Sequence, residues 1–149
     1  MTVEVSAVPK EYAERVWPEI EKFAGRAAKY SYGRYEAEDV LDLVLHHDYA
    51  LWIAIDDREI IGFVTTTFAN YPHAKYLKLA FCGGKARKKW QAPILHLLRR
   101  WARDNGCEGL EASGRPGWVK ILGQDGHTPL WNTFQLPLDD DKDARYAGR

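Results

Sequence analysis

The stretch that most constrains the fold is YALWIAIDDREIIGFVTTTFANYP, residues 49–72. Tyr49 to Ile55 and Ile60 to Phe68 are rich in β-branched and aromatic residues. The polar run Asp56-Asp57-Arg58-Glu59 between them predicts a hairpin turn. Directly after it, AKYLKLAF (Ala74 to Phe81) alternates Tyr76, Leu77 and Leu79 with Lys75 and Lys78, which predicts a third neighbouring strand.

The flanking segments supply helices and further strands. Val3 to Val8 alternates apolar and polar residues as a short strand with one buried face does. Tyr12, Val16, Ile20, Phe23 and Ala27 recur at spacings of three and four, a helical stripe that Pro18 interrupts, so a kink or a second start is expected there. Beyond Gly33, Val40, Leu41, Val44 and Leu45 share one face of a short helix over Ala37 to His46. From Trp90 to Asn105 the positions Ile94, Leu95, Leu97, Leu98, Trp101 and Ala102 form a broad helical stripe, which Asn105-Gly106 stops. CEGLEAS (Cys107 to Ser113) predicts a fifth strand, RPGWVKIL a short helix opened by Pro116, and TPLWNTFQLPL (residues 128–138) a closing strand. A helix between Phe81 and Glu108 makes that step a crossover, which lets the two strands it joins run parallel. The expected fold is therefore of mixed α/β (α+β) class: a mostly antiparallel sheet with one parallel crossover and helices on its faces.

A chain of 149 residues is about one domain's worth. One domain over residues 1–138 and a polar tail over 139–149 is the expected organisation, the tail carrying Asp139-Asp140-Asp141 as a solvated acidic run. The formal net charge is zero, so no global field draws the chain to nucleic acid or to a membrane surface. MTVEVSAVPKEY lacks the basic start and apolar run of a signal peptide, and no apolar stretch approaches the ~20 residues of a membrane span. Cys82 and Cys107 match no disulfide or zinc pattern and read as small buried thiols of a reducing compartment. His46-His47 reads as a helix-end pair rather than a metal site, because adjacent residues diverge on a helix.

CGGKARKKWQAP, Cys82 to Pro93, joins the third strand of the hairpin region to the long helix. Lys85, Arg87, Lys88 and Lys89 lie at or just before a helix N-terminus, where the macrodipole disfavours positive charge by roughly 0.3–1 kcal/mol each. An anion would resolve that conflict; a basic loop extended into water is the other reading. The element order, together with this turn, resembles the GCN5-related N-acetyltransferase (GNAT) superfamily over nearly the whole chain. FCGGKARKKW and GRPGW resemble, more narrowly, GNAT-like proteins of bacteriophages, which include internal virion proteins of short-tailed phages.

The resemblance implies an acetyl-CoA site between the fourth and fifth strands, with a Q/R-x-x-G-x-G/A turn whose backbone N–H groups hold the pyrophosphate. Aligned here, Arg87 and Ala92 match, and Trp90 stands in the first glycine position, with Pro93 following. The implied cofactor-binding set is Gly83, Gly84, Lys85, Arg87, Lys88, Lys89, Trp90, Gln91 and Ala92, with acetyl-CoA as the cofactor and no metal. The fourth strand offers no carboxylate as general base; His127, Glu111 and Asp125 are the nearest substitutes, and Glu111 and His127 are the catalytic candidates. Arg115 in GRPGW is expected to pair with an acid, and Trp118 to pack on the sheet. Two functions follow. One is a phage-type component with a degenerate cofactor turn, contacting virion proteins or itself, in the bacterial host cytoplasm or a phage particle. The other is an active acetyl-CoA-dependent N-acetyltransferase acting on a small-molecule or protein amine. Nucleic-acid contact through the basic cluster ranks below both.

Overall fold

The computed structural model describes residues 3–114 and 118–138. The chain divides into two compact units, Met1–Ser113 and Gly114–Arg149. The first holds strand β1 (Glu4–Val8), helices α1 (Ala13–Lys29) and α2 (Ala37–His46), and strands β2 (Ala50–Asp56), β3 (Glu59–Tyr71) and β4 (Ala74–Gly84). Helix α3 (Arg87–Asp104) and strand β5 (Gly109–Ala112) complete it. The strands lie in the order β1-β2-β3-β4-β5. The first three pairings are antiparallel, and β4 with β5 is parallel, as a helical crossover allows.

The hairpin forms where the apolar runs predict it. Asp57 and Arg58 both have positive φ (49° and 68°), the twist-matched two-residue connection between β2 and β3. Alternate residues of the sheet face opposite cores. Leu51, Ile53 and Phe63 pack with Ile20, Phe23, Val40 and Val44 of α1 and α2. Trp52, Val64 and Leu77 pack with Trp90, Ile94, Leu98 and Ala102 of α3. The sheet is thus a middle layer with helices on both faces.

Three expectations are revised. Pro18 lies inside one unbroken α1, entered through a 3₁₀ turn at Lys10–Tyr12. The burial of Trp17, Ile20 and Phe23 on one face holds the helix across the missing N–H. Helix α3 begins at Arg87 rather than Trp90, so Pro93 falls in its second turn and not its first. Finally, residues 128–138 form no strand. Pro129 and Pro137 cannot donate to a ladder, and Leu130, Trp131, Phe134, Leu136 and Leu138 are exposed.

The second unit holds helix α4 (Trp118–Gln124), whose end is closed by His127, its backbone N–H donating to Leu122 O at 3.0 Å. Arg115, Pro116 and the acidic run Asp139-Asp140-Asp141 lie outside the described residues. No helix among the described residues is long and apolar enough to cross a membrane.

Candidate functional site

The site is built on a defect in the sheet. Between β3 and β4 the register passes from Thr65↔Phe81 to Thr66↔Leu79, which leaves Ala80 as an extra residue, a β-bulge in β4. The fully buried Thr65 accepts the Phe81 backbone N–H on its hydroxyl at 3.1 Å, so the bulge is satisfied from within the sheet. On the other side, β4 pairs with β5 only from Tyr76↔Gly109 to Leu79↔Ala112. The strands therefore part at the bulge, and Ala80–Gly84 runs on with β3 alone as its partner. Because β4 and β5 are parallel, the split opens at their C-terminal ends, the edge where open α/β sheets bind ligands. Helix α3 starts at that same end.

The turn into α3 is fixed by packing. Gly84 has φ +149°, and a Cβ there would stand 2.2 Å from Ile61 O. Only glycine lets β4 approach β3 this closely. Ala86, the α3 N-cap, is left-handed (φ 53°, ψ 46°), and the Lys85 N–H donates to Ile61 O at 2.8 Å. Trp90 is buried, and its indole N–H donates to Lys85 O at 2.9 Å. Its ring lies against Gly62 of β3, where a Cβ would come within 2.5 Å of ring carbon Cε2. Trp90, which the resemblance aligns with a glycine, has its side chain turned onto β3.

The four cations of the turn divide. Lys85 pairs with Glu59, and Lys89 Nζ lies 3.2 Å from Asp56 Oδ2. Arg87 donates to Gln91 Oε1 one helical turn on. Lys88 is exposed and has no ion pair among the described residues. The charge conflict at the helix start is thus relieved in part by the chain's own carboxylates, placed by the β2–β3 turn. Sequence reasoning missed this, because nothing links residue 59 to residue 85 until the hairpin register is known. Cys82, beneath the turn, has its thiol pKa pushed up to about 11 by burial, against a smaller opposite pull from Arg87. It is no nucleophile at neutral pH. Ala92 lies on exposed helix surface.

Glu111 stands on β5 one residue before the last pair with β4, directly across from Lys78. Tyr71 donates its hydroxyl to the Glu111 carboxylate, 2.7 Å from Oε1 and 2.9 Å from Oε2. That bond is the main reason the Tyr71 phenol pKa is raised. Tyr76 meets the Tyr71 ring edge-on at 6.2 Å. Above the bulge, Tyr35 makes an edge contact with Phe81 at 5.1 Å. Tyr71, far from Glu111 in sequence, was not foreseen. The other candidate, His127, belongs to the second unit, where its Nδ1 lies 3.2 Å from Leu122 O. His46 and His47 sit at the C-terminal end of α2, their Nε2 atoms 4.0 and 3.3 Å from Asp42 carboxylate oxygens.

No protein-family model matches the sequence, and no curated protein matches it. Solved structures match its fold. A ribosomal-protein-alanine N-acetyltransferase from Brucella melitensis biovar Abortus superposes with a TM-score of 0.70 at 14% identity, covering 93% of this chain and 100% of that one. A GNAT family acetyltransferase from Staphylococcus aureus gives 0.66 at 14% identity, with coverage of 93% and 100%. An aminoglycoside acetyltransferase from an uncultured soil metagenomic sample, in complex with sisomicin, gives 0.65 at 9% identity, with coverage of 92% and 97%. The mixed five-stranded sheet, split at its fourth strand and flanked by helices, is the fold of the GNAT acetyltransferases.

Proposed function

We propose that the chain is an acetyl-CoA-dependent N-acetyltransferase. The observation that carries this reading is the β4 bulge at Ala80 with the parting of β4 and β5 beyond Leu79 and Ala112. A sheet that opens at the carboxyl ends of parallel strands beside a helix N-terminus suits a long ligand with an anionic end. The residues present fit such a group. The backbone of Ala80–Gly84, free of β5, offers strand-like partners for its amide-bearing arm. The N–H groups of Arg87 and Lys88 at the start of α3 and the uncommitted Lys88 side chain offer partners for its phosphates, the Lys89 N–H being taken by Ala86 O. The Trp90 ring is committed to Gly62 of β3.

When bound, acetyl-CoA would supply an acetyl thioester: the neutral amine nitrogen forms the new C–N bond as the C–S bond breaks, and the proton that nitrogen gives up ends on the departing sulfur, so that CoA leaves as the thiol. Glu111 stands beside the split, held by Tyr71, and its carboxylate is the group to receive the amine proton, directly or through one water. Lys85 and Lys89 stay shared with Glu59 and Asp56 until a ligand phosphate competes for them.

Calorimetry with acetyl-CoA, followed by thiol release over an amine panel, tests this. Saturable binding and turnover are expected, with affinity lost in Lys88→Glu/Lys89→Glu. Absence of acetyl-CoA binding would overturn the enzyme reading and leave the non-catalytic interaction component, including the virion role, as its competitor. The structural similarities favour the transferase, since the matched folds include acetyltransferases.

A further inference from the structure

Strand β4 carries a cation that nothing else in the described chain answers. Lys78 is half-buried, yet no ion pair, hydrogen bond or ring contact among the described residues involves it. Its neighbour on β4, Lys75, shows the ordinary outcome: Lys75 Nζ donates to Asn105 O at 2.8 Å and lies 4.5 Å from the centre of the Phe68 ring. Leu77 and Leu79 point into the α3-side core, so by strand alternation Lys78 stands on the opposite face with Tyr76. Its register partner across the strands is Glu111, at the usual interstrand spacing of about 4.8 Å. The two opposite charges make no ion pair with each other, and Glu111 takes the Tyr71 hydroxyl instead. A carboxylate with one hydroxyl bound keeps acceptor capacity for an ammonium.

From this arrangement we infer that the amine acceptor is a zwitterion, a free amino acid whose carboxylate is held by Lys78 and whose ammonium faces Glu111. The inference rests on the transferase reading and names the substrate class of that site. Both charges lie just below the bulge at Ala80, so a ligand held by them presents its nitrogen to the mouth of the β4–β5 split. The rings of Tyr71 and Tyr76, in edge contact on the same face, give the amino-acid side chain an apolar surface. A polyamine or a basic peptide would set a second cation against Lys78, and a peptide N-terminus would lack the adjacent carboxylate.

The test compares each of the common amino acids with its primary amide and with the decarboxylated amine, by turnover and by calorimetry in the presence of CoA. Wild type should favour at least one free amino acid over both of its counterparts by tenfold or more in kcat/KM. Lys78→Gln should remove that preference by raising KM for the amino acid tenfold more than KM for the simple amine, and Lys78→Arg should retain it. Amides or amines used as well as amino acids by wild type would overturn the inference, as would a preference that survives in Lys78→Gln. If acetyl-CoA binds and simple amines alone are acetylated, the zwitterion is refuted and the transferase stands. If acetyl-CoA itself does not bind, the transferase reading falls and takes the inference with it.

Discussion

Gly62→Ala isolates the contact of the Trp90 ring with β3. The new methyl would stand 2.5, 2.8 and 2.9 Å from three carbons of the Trp90 ring, against about 3.5–4.0 Å for a relaxed carbon contact. The ring must therefore retreat by about 1 Å. It is only 4% exposed, so retreat means overpacking, typically about 1–3 kcal/mol. It also strains the indole bond to Lys85 O, worth about 1 kcal/mol. Against this, a less flexible unfolded chain returns about 0.4–1 kcal/mol. The net expectation is a loss of about 2 kcal/mol. In urea unfolding this moves the midpoint down by about 1 M at unchanged slope. In a Trp90→Leu background the same change should be much milder, because the clashing ring is gone. A Gly62→Ala midpoint equal to wild type, or equal effects in both backgrounds, would refute the packing argument. Acetyl-CoA affinity should fall in Gly62→Ala, since the displaced ring carries Lys85 O with it.

Three further outcomes follow from the same geometry. Replacing Asp56 with Asn and Glu59 with Gln releases Lys89 and Lys85. Inorganic pyrophosphate should then bind more tightly by calorimetry at low salt, with stability changed by about 1 kcal/mol or less because Lys85, Glu59 and Lys89 are exposed and only Asp56 is largely covered; weaker binding would contradict the shared-cation picture. Cys82, with a thiol pKa of about 11, should react with iodoacetamide at pH 8 far more slowly in the native protein than in urea. The neutral thiol's contribution to stability is full below its unfolded pKa and is lost as pH rises through about 11. The Tyr71 phenol pKa is raised chiefly by its bond to Glu111, so an ultraviolet titration of Glu111→Gln should show one tyrosine ionising earlier than in wild type. Its stabilising effect is complete below the ordinary phenol pKa and disappears as pH climbs through the raised value; an unchanged titration would remove the bond.

Much of the fold was legible because it rests on local periodicity. The runs on either side of Asp56–Glu59 could bury their side chains only as paired strands, and the stripe from Ile94 to Ala102 only as a helix. The prolines were harder to read. Pro18 and Pro93 are helix breakers by propensity, yet both sit inside helices because the apolar faces around them are held by the sheet. Residues 128–138 erred the other way: alternation was present, but a strand also needs N–H donors and a partner edge, and two prolines thin the donors. At the site, the cations and glycines of residues 83–89 were visible, whereas their partners were not. Glu59, Asp56, Tyr71 and Lys78 acquire meaning only through register, a long-range property that no single window of sequence contains. Even Trp90, which the resemblance aligns with a glycine, was ambiguous until Gly62 was found beneath it.

The strictly sequential order β1-β2-β3-β4-β5 has a kinetic consequence. The meander Ala50–Gly84 closes through two tight reversals, Asp57-Arg58 and Pro72-His73, each with minimal loop entropy. The pairings β1–β2 and β4–β5 instead wait for intervening helices to be placed, so they are the slow closures. The bulge at Ala80 belongs to the part that forms first, and the pairing beside it follows only when β5 docks. The candidate site is therefore completed by one of the two late closures, and a pulse-labelling experiment should find the amides of β5 protected after those of β2 and β3.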